Sequence, residues 1–225
     1  MKKILFVLTS HDTLGTTGRK TGAYLGEVTH PFEELREAGY EIDFVSPQGG
    51  AAPLDGVNLE DPINKKWMSD AEFKKKISTT LTPSEVEVRL YAGIFFAGGH
   101  GTMFDFPQNT KLAEIAAQIY ESGGVVGAVC HGPSGLVNIK LSDGSFLVSG
   151  KQVSAFSNSE EEAVKLTEQM PFLLETKLKE RGALYSKSPN FEPHSVSDQR
   201  LVTGQNPASA ADVARKMIAE LKKQK

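Results

Sequence analysis

The sequence predicts an α/β fold built on a mostly parallel central sheet, and three observations predict it. Short apolar runs recur along the chain, and one of them, Val125 to Val129, has the length and β-branched content of a strand buried on both faces. Segments with apolar residues at helical spacing separate these runs, and strands alternating with helices argue a parallel sheet with both faces covered. Two of the runs end in Gly-Gly-His (98–100) and Cys-His-Gly-Pro (130–133). Ligands in such sheets sit beyond the carboxyl ends of the strands, so both ends should line one crevice.

In chain order, Ile4 to Thr9 reads as a first buried strand and His11 to Thr21 as a polar, Gly-rich loop. Leu25, Val28, Phe32 and Leu35 lie at helical spacing between Gly22 and Gly39; Pro31 predicts that the helix begins or kinks there, and Gly39 stops it. Tyr40 to Val45 alternates as a second strand. Residues 51–83 lack a clear period and read as an insertion, a loop with one short solvated helix, serving as a lid or a dimer surface. Thr82-Pro83-Ser84-Glu85 is a helix-start signal. Ile94 to Ala97 is the third strand, and Asn109 to Ser122 an amphipathic helix with Leu112, Ile115, Ala116 and Ile119 on one stripe. After the fourth strand and the helix expected behind it, Phe146–Val148 and Gln152–Phe156 read as a small β-pair turning at Gly150-Lys151. Ser157 to Glu162 looks like a helix start and Pro171 to Arg181 like a further helix. Ala183–Tyr185 and Leu201–Thr203 are late strands, and Pro207 to Lys223 is a terminal helix with Val213, Met217, Ile218 and Leu221 inward. No repeat or linker divides residues 1–225, which read as one domain.

Bulk properties exclude several classes. A net charge of −3 gives no electrostatic case for nucleic acid or an anionic membrane surface. The single cysteine rules out an internal disulfide. The apolar run after Met1-Lys2-Lys3 is too short for a signal peptide, Ser10-His11-Asp12 follows it without a cleavage site, and no stretch could span a bilayer, so a cytoplasmic location is expected.

The chemistry centres on residues 125–136. A buried strand, one reactive side chain on a sharp turn, then a helix is the order of a nucleophile elbow. A helix N-terminus would favour thiolate at Cys130, although a lone cysteine is ordinarily a small buried hydrophobe. The N–H groups of Gly99 and His131 are candidate oxyanion donors, with Gly98 beside them, and His131 is a candidate base. Spacing alone does not locate a carboxylate partner. Glu27 and Glu161 are both available, and a Glu at a helix start is ordinarily solvated or capping. Trp67, His11 and His194 have no motif around them, and Lys74-Lys75-Lys76 reads as a solvated helix face. No His/Cys grouping has metal-ligand spacing.

Ala-Val-Cys130-His131-Gly132-Pro133, Ala-Gly98-Gly99-His100-Gly101 and Glu27-Val-Thr-His30-Pro31-Phe32-Glu-Glu-Leu resemble the ThiJ/PfpI superfamily, and within it the glutathione-independent glyoxalase (glyoxalase III) branch, which includes heat-shock-type chaperones. The likeness runs nearly end to end, through Phe104-Asp105-Phe106-Pro107 and Val202 to Ser209. It implies a flavodoxin-like three-layer sandwich, a homodimer, and conversion of methylglyoxal or a related small 2-oxoaldehyde to lactate with no cofactor and no metal. It implies Cys130 as nucleophile, His131 as base, Glu27 as a protonated carboxyl at the sulfur, and Glu161 as the acidic partner, an assignment that could slip to Glu160 or Glu162. Rival readings are a stress-response chaperone or redox sensor with an oxidisable Cys130, and repair of glycated proteins. A glutaminase would need a late His and Glu two apart, and His194 is followed by Ser195 and Val196.

Overall fold

The computed structural model describes residues 3–224; Met1 and Lys2 of the N-terminal reading lie outside them. The strands are β1 (Lys3–Val7), β2 (Ala23–Tyr24), β3 (Glu41–Val45), β4 (Leu54–Asp55), β5 (Tyr91–Phe96), β6 (Val125–Val129), β7 (Gln152–Val153), β8 (Leu184–Tyr185), β9 (Ser195–Asp198) and β10 (Leu201–Gly204). The α-helices are α1 (Leu25–Glu37), α2 (Pro62–Ser69), α3 (Ala71–Ser78), α4 (Thr102–Asp105), α5 (Thr110–Glu121), α6 (Asn158–Ala163), α7 (Leu174–Glu180) and α8 (Ala210–Lys222). Among the described residues no helix is long and apolar enough to cross a membrane.

The central sheet runs in the order β3-β1-β5-β6-β10-β9, parallel except for β9, which pairs antiparallel with β10 at the edge. Its five parallel strands follow the flavodoxin-like 2-1-3-4-5 order. Alternation along each strand divides the core into two layers. Ile4, Phe6 and Leu8 face α1 and α8 through Val28, Leu35, Val213 and Met217. Leu5 and Val7 share the opposite layer with Leu112, Ile115 and Ile119 of α5.

Helix α1 starts directly after β2, six residues before Pro31, which therefore sits inside the helix and neither opens nor ends it. Proline lacks the N–H that would bond the carbonyl of Glu27 one turn back. The stop at Gly39 is as expected. Gly39 (φ +86°) donates to Arg36 and Tyr40 donates to Leu35, the paired bonds of a Schellman motif.

Three sequence expectations are corrected. The insertion over 51–83 carries two helices, not one, each capped by an aspartate: Asp61 accepts from the N–H groups of Ile63 and Asn64, and Asp70 from that of Phe73. Lys74 and Lys75 are exposed, but Phe73 and Ile77 on the same helix are buried, and the Phe73 ring packs edge-on against Phe32 and Phe44 at 5.0 and 5.8 Å. The i, i+4 pair of apolar residues was hidden within the basic run. The β-pair over 146–156 is not a hairpin. Phe146 bridges Lys140, while β7 pairs parallel with β8. Finally, the segment after Cys130 is a five-residue 3₁₀ turn, Gly132–Leu136, and no α-helix follows β6 directly. Strand β9 carried no signal, because Ser195–Asp198 is a polar edge strand.

Candidate active site

Cys130 follows β6 directly with φ +58°, in the left-handed region that non-glycine residues rarely enter. Neighbouring backbone holds it there. Its N–H donates to Gly204 at the end of β10, and its carbonyl accepts from Phe156. This is the strained elbow that the run Val125 to Pro133 predicts.

His131 follows, fully buried. Its Nδ1 lies 3.4 Å from Cys130 Sγ and its Nε2 2.6 Å from Glu161 Oε2. Phe156 packs on the ring with centroids 4.4 Å apart, and His100 lies against it at 4.1 Å. Helix α6 delivers Glu161 through a capping box. Ser157 accepts from the Glu160 N–H, and the Glu160 carboxylate accepts from the Ser157 N–H and hydroxyl. Glu160 also accepts from Asn206 Nδ2 and the Phe191 N–H, and Glu162 is exposed. Of the three glutamates, only Glu161 reaches His131.

Glu161 has a second partner, His100 Nε2, at 3.0 Å from Oε1. Sequence reasoning noticed His100 between its glycines but gave it no role; its position at a strand end was the available signal. Donor atoms of His100, His131 and Glu161 lie within 4.8 Å of one another, close enough to hold a metal ion.

Glu27 approaches the sulfur from the other side, in the first turn of α1. It is fully buried, and neither carboxyl oxygen has a partner in hydrogen-bond geometry. Gly98 makes room for it: a Cβ there would lie 2.3 Å from Glu27 Oε2 and 2.6 Å from the Val129 carbonyl. Gly99, at φ +107°, could not carry a side chain either. Its N–H has no protein acceptor among the described residues, which leaves it free to face a ligand. Leu14, Tyr24, Glu27, Gly99, His100, Cys130, His131, Phe156 and Phe191 line a cavity of about 340 Å³, with Arg19 and Lys20 on its margin. Tyr24 had no sequence signal.

Burial pushes the Glu27 carboxyl up to about 8, with Cys130 and the Gly98 N–H offsetting only part of that cost. Burial also pushes the Cys130 thiol well above its usual value, and a charged Glu27 would push it further. The expected ionised sulfur is therefore corrected: the resting Cys130 is a neutral thiol, 4% exposed. A single 3₁₀ turn offers too little dipole to offset desolvation. Burial and the neighbouring His100 hold His131 down to about 4, against the pull of Glu161. Hydrogen bonds from His100 and His131 overcome burial at Glu161 and hold it at about 2. At neutral pH the arrangement is carboxylic acid, thiol, neutral imidazole and carboxylate, in that order.

A flavodoxin-like sheet whose strand-end cysteine sits on a strained turn with a histidine–carboxylate pair behind it defines the class: an α/β protein with a cysteine elbow. The chain belongs to the DJ-1/PfpI family, which it matches over residues 20–220, and falls in its glutathione-independent glyoxalase branch. It is 37% identical over 236 residues to the glutathione-independent glyoxalase HSP31 of Saccharomyces cerevisiae, covering 98% of each chain. Among solved structures, the 24 kDa rapid encystment protein of Francisella tularensis superposes with a TM-score of 0.95 at 41% identity, over 98% of this chain and 99% of that one. Glyoxalase III of Candida albicans superposes with a TM-score of 0.91 at 32% identity, over 97% of each.

Proposed function

We propose that this protein is a glutathione-independent glyoxalase that converts methylglyoxal and related small 2-oxoaldehydes to 2-hydroxy acids, with Cys130 as the nucleophile. One observation carries the reading: a neutral imidazole stands between the Cys130 thiol and a carboxylate, at the floor of a small cavity. With Nε2–H donated to Glu161, Nδ1 is left as an acceptor facing the sulfur.

The chemistry follows from that tautomer. His131 Nδ1 takes the thiol proton as Sγ adds to the aldehyde carbon, so a stable thiolate before substrate arrival is unnecessary. The new oxygen takes a proton and becomes the hydroxyl of a hemithioacetal, with the Gly99 and His131 N–H groups facing the developing charge. His131 next removes the hydrogen from the former aldehyde carbon, giving an enediol, and returns a proton to the adjacent carbon. The product is a thioester of lactate on Cys130. Water cleaves it, restoring the thiol. The net change is addition of one water to methylglyoxal, with no external oxidant or reductant. Glu27, held protonated, supplies an O–H beside the sulfur and the oxygen of the adduct instead of a second negative charge.

A redox-sensor reading requires an exposed thiol of low pKa. Burial of Cys130 with its proton retained works against it. The homodimer and cytoplasmic location expected from the resemblance belong to this same reading; sedimentation of the pure chain as a monomer at micromolar concentration would refute the dimer. The activity is tested by methylglyoxal consumption and lactate formation in glutathione-free buffer. Wild type should turn over, and Cys130→Ser should lose at least about 10³-fold. Equal rates in the two proteins would end the proposal.

A further inference from the structure

We propose that His100, His131 and Glu161 form a site for one borderline-soft divalent cation of the zinc type, and that filling it silences Cys130 by reversing the hydrogen-bonding sense of His131. The three donors come from three separate segments: the Gly98–Gly101 turn, the elbow, and the first turn of α6. Their ligating atoms already converge. His100 Nε2 lies 3.0 Å from Glu161 Oε1 and His131 Nε2 lies 2.6 Å from Oε2, and all lie within 4.8 Å of one another. Zinc takes nitrogen and carboxylate oxygen ligands at about 2.0–2.2 Å, so neighbouring ligands in a tetrahedron sit roughly 3.4 Å apart. To admit such an ion the two His–Glu contacts need to widen by less than about 1 Å, and the remaining separation, at most 4.8 Å, needs to close by no more than about 1.4 Å.

The chemistry of the donors selects the cation. Two imidazoles and one carboxylate suit zinc, or cobalt(II) and nickel(II) in its place, while magnesium and calcium prefer oxygen. His100 supplies the way in, because it is the member of the three that is partly exposed and lines the cavity together with His131. Entry of the ion exchanges two N–H···O bonds for metal bonds to the two imidazole nitrogens and a carboxylate oxygen.

The consequence for Cys130 lies in the tautomer. A neutral imidazole has one N–H. With the metal on Nε2, that hydrogen must reside on Nδ1, 3.4 Å from Sγ. An acceptor for the thiol proton becomes a donor to sulfur, and the shuttle proposed above has nowhere to place a proton. Binding and silencing are separate claims. Only the second rests on the glyoxalase reading.

The test is calorimetric titration of metal-free, full-length protein with zinc chloride, alongside cobalt(II) absorption spectra and methylglyoxal turnover at each loading. One ion per chain is expected. His100→Ala and Glu161→Gln should each weaken binding by about 100-fold or more, since loss of a supporting neighbour alone costs 10–100-fold. Cys130→Ser should bind within about threefold of wild type. Cobalt should show ligand-field bands without the near-ultraviolet sulfur charge-transfer band. Turnover of wild type should fall in step with occupancy, and residual turnover of His100→Ala should resist the ion. Loss of binding in Cys130→Ser with retention in His100→Ala, or a sulfur charge-transfer band, would place the ion on the thiol and overturn the site. Failure to bind at millimolar zinc would do so as well. Stoichiometric binding to His100 and Glu161 without loss of turnover would keep the site and overturn the silencing. Thermal melts of each variant guard against misfolding, and His100→Gln, which keeps a donor to Glu161 but offers no imidazole, supplies a second variant expected to lose the ion.

Discussion

Two buried glutamates flank one cysteine, and they ionise in opposite directions. Glu27 has no partner in good hydrogen-bond geometry, and burial, only partly offset by the Cys130 thiol and the Gly98 N–H, lifts it to about 8. Glu161 is nearly as buried, yet an imidazole N–H on each oxygen brings it to about 2. The same residue type thus becomes an acid on one side of the sulfur and an anion on the other. The number of donors within reach sets the difference, a pattern also seen where paired carboxylates divide acid and base roles. The lesson is that burial alone does not assign a carboxylate its role.

Breaking the anionic side should have the largest effect. Glu161→Gln keeps the shape but lets an amide face His131, so the tautomer with Nδ1 as acceptor is no longer enforced. Steady-state kcat on methylglyoxal should fall by up to about 10⁴, the loss seen when a triad carboxylate is made an amide; less than a fivefold loss would show that Glu161 does not orient the base. The pH profile sharpens the same contrast. With His131 held to about 4, kcat/KM should stay flat from pH 7 down to about 5 and fall with a midpoint near 4. An acidic limb centred near pH 6.5 would mean an unshifted imidazole. On the basic side, ionisation of Glu27 near pH 8 should lower activity, and Glu27→Gln should remove that limb.

The next effect is on stability. Glu27 is protonated in the folded chain up to about pH 8 and ionised in the unfolded chain above its ordinary 4.5. Between those values the folded state binds more protons, so its contribution to stability is complete below 4.5 and is lost as pH rises towards 8. Urea denaturation of wild type should lose up to about 1.4 kcal/mol per pH unit from this group across that window. Glu27→Gln should show a flatter dependence, and identical slopes would place the carboxyl in water. The smallest effects separate the neighbours of Glu161. Glu160→Gln should cost about 1–2 kcal/mol through the capping box and its Asn206 bond. Glu162→Gln, on the exposed side, should stay within about 0.5 kcal/mol in the same melts.

Much of this was legible in advance, for identifiable reasons. Buried parallel strands announce themselves by uniform apolarity, so Ile4 to Val7, Ile94 to Phe96 and Val125 to Val129 fall where the pattern places them. Cys130 was legible because glycine, proline and a strand end surround it. Two things were not. Strand β9 and the β7–β8 pair are short and polar or depend on a partner 32 residues away, and pairing at that distance leaves no local trace. The protonation of the sulfur is not legible either, because the residues after the strand predict a helix with a dipole to match, and the chain makes a single 3₁₀ turn there. A 3₁₀ turn and a helix start with the same residues, Gly132-Pro133, and only the structure distinguishes them. His100 was visible but unassigned, since its partner lies 61 residues further on.

The contact between Gly98 and Glu27 has a consequence for how such chains can diverge. An oxygen of the acid fills the volume that a methyl group would take at the other position, so the two sites cannot drift independently. An alanine at 98 would need a shorter residue at 27, losing the proton donor, and would also need the Val129 carbonyl and the His131 backbone nitrogen, 2.6 and 2.9 Å from its Cβ, to give way. Sequence change at the strand end is therefore coupled to a choice of reactivity, and a relative with a side chain at that glycine should be read as having abandoned this acid.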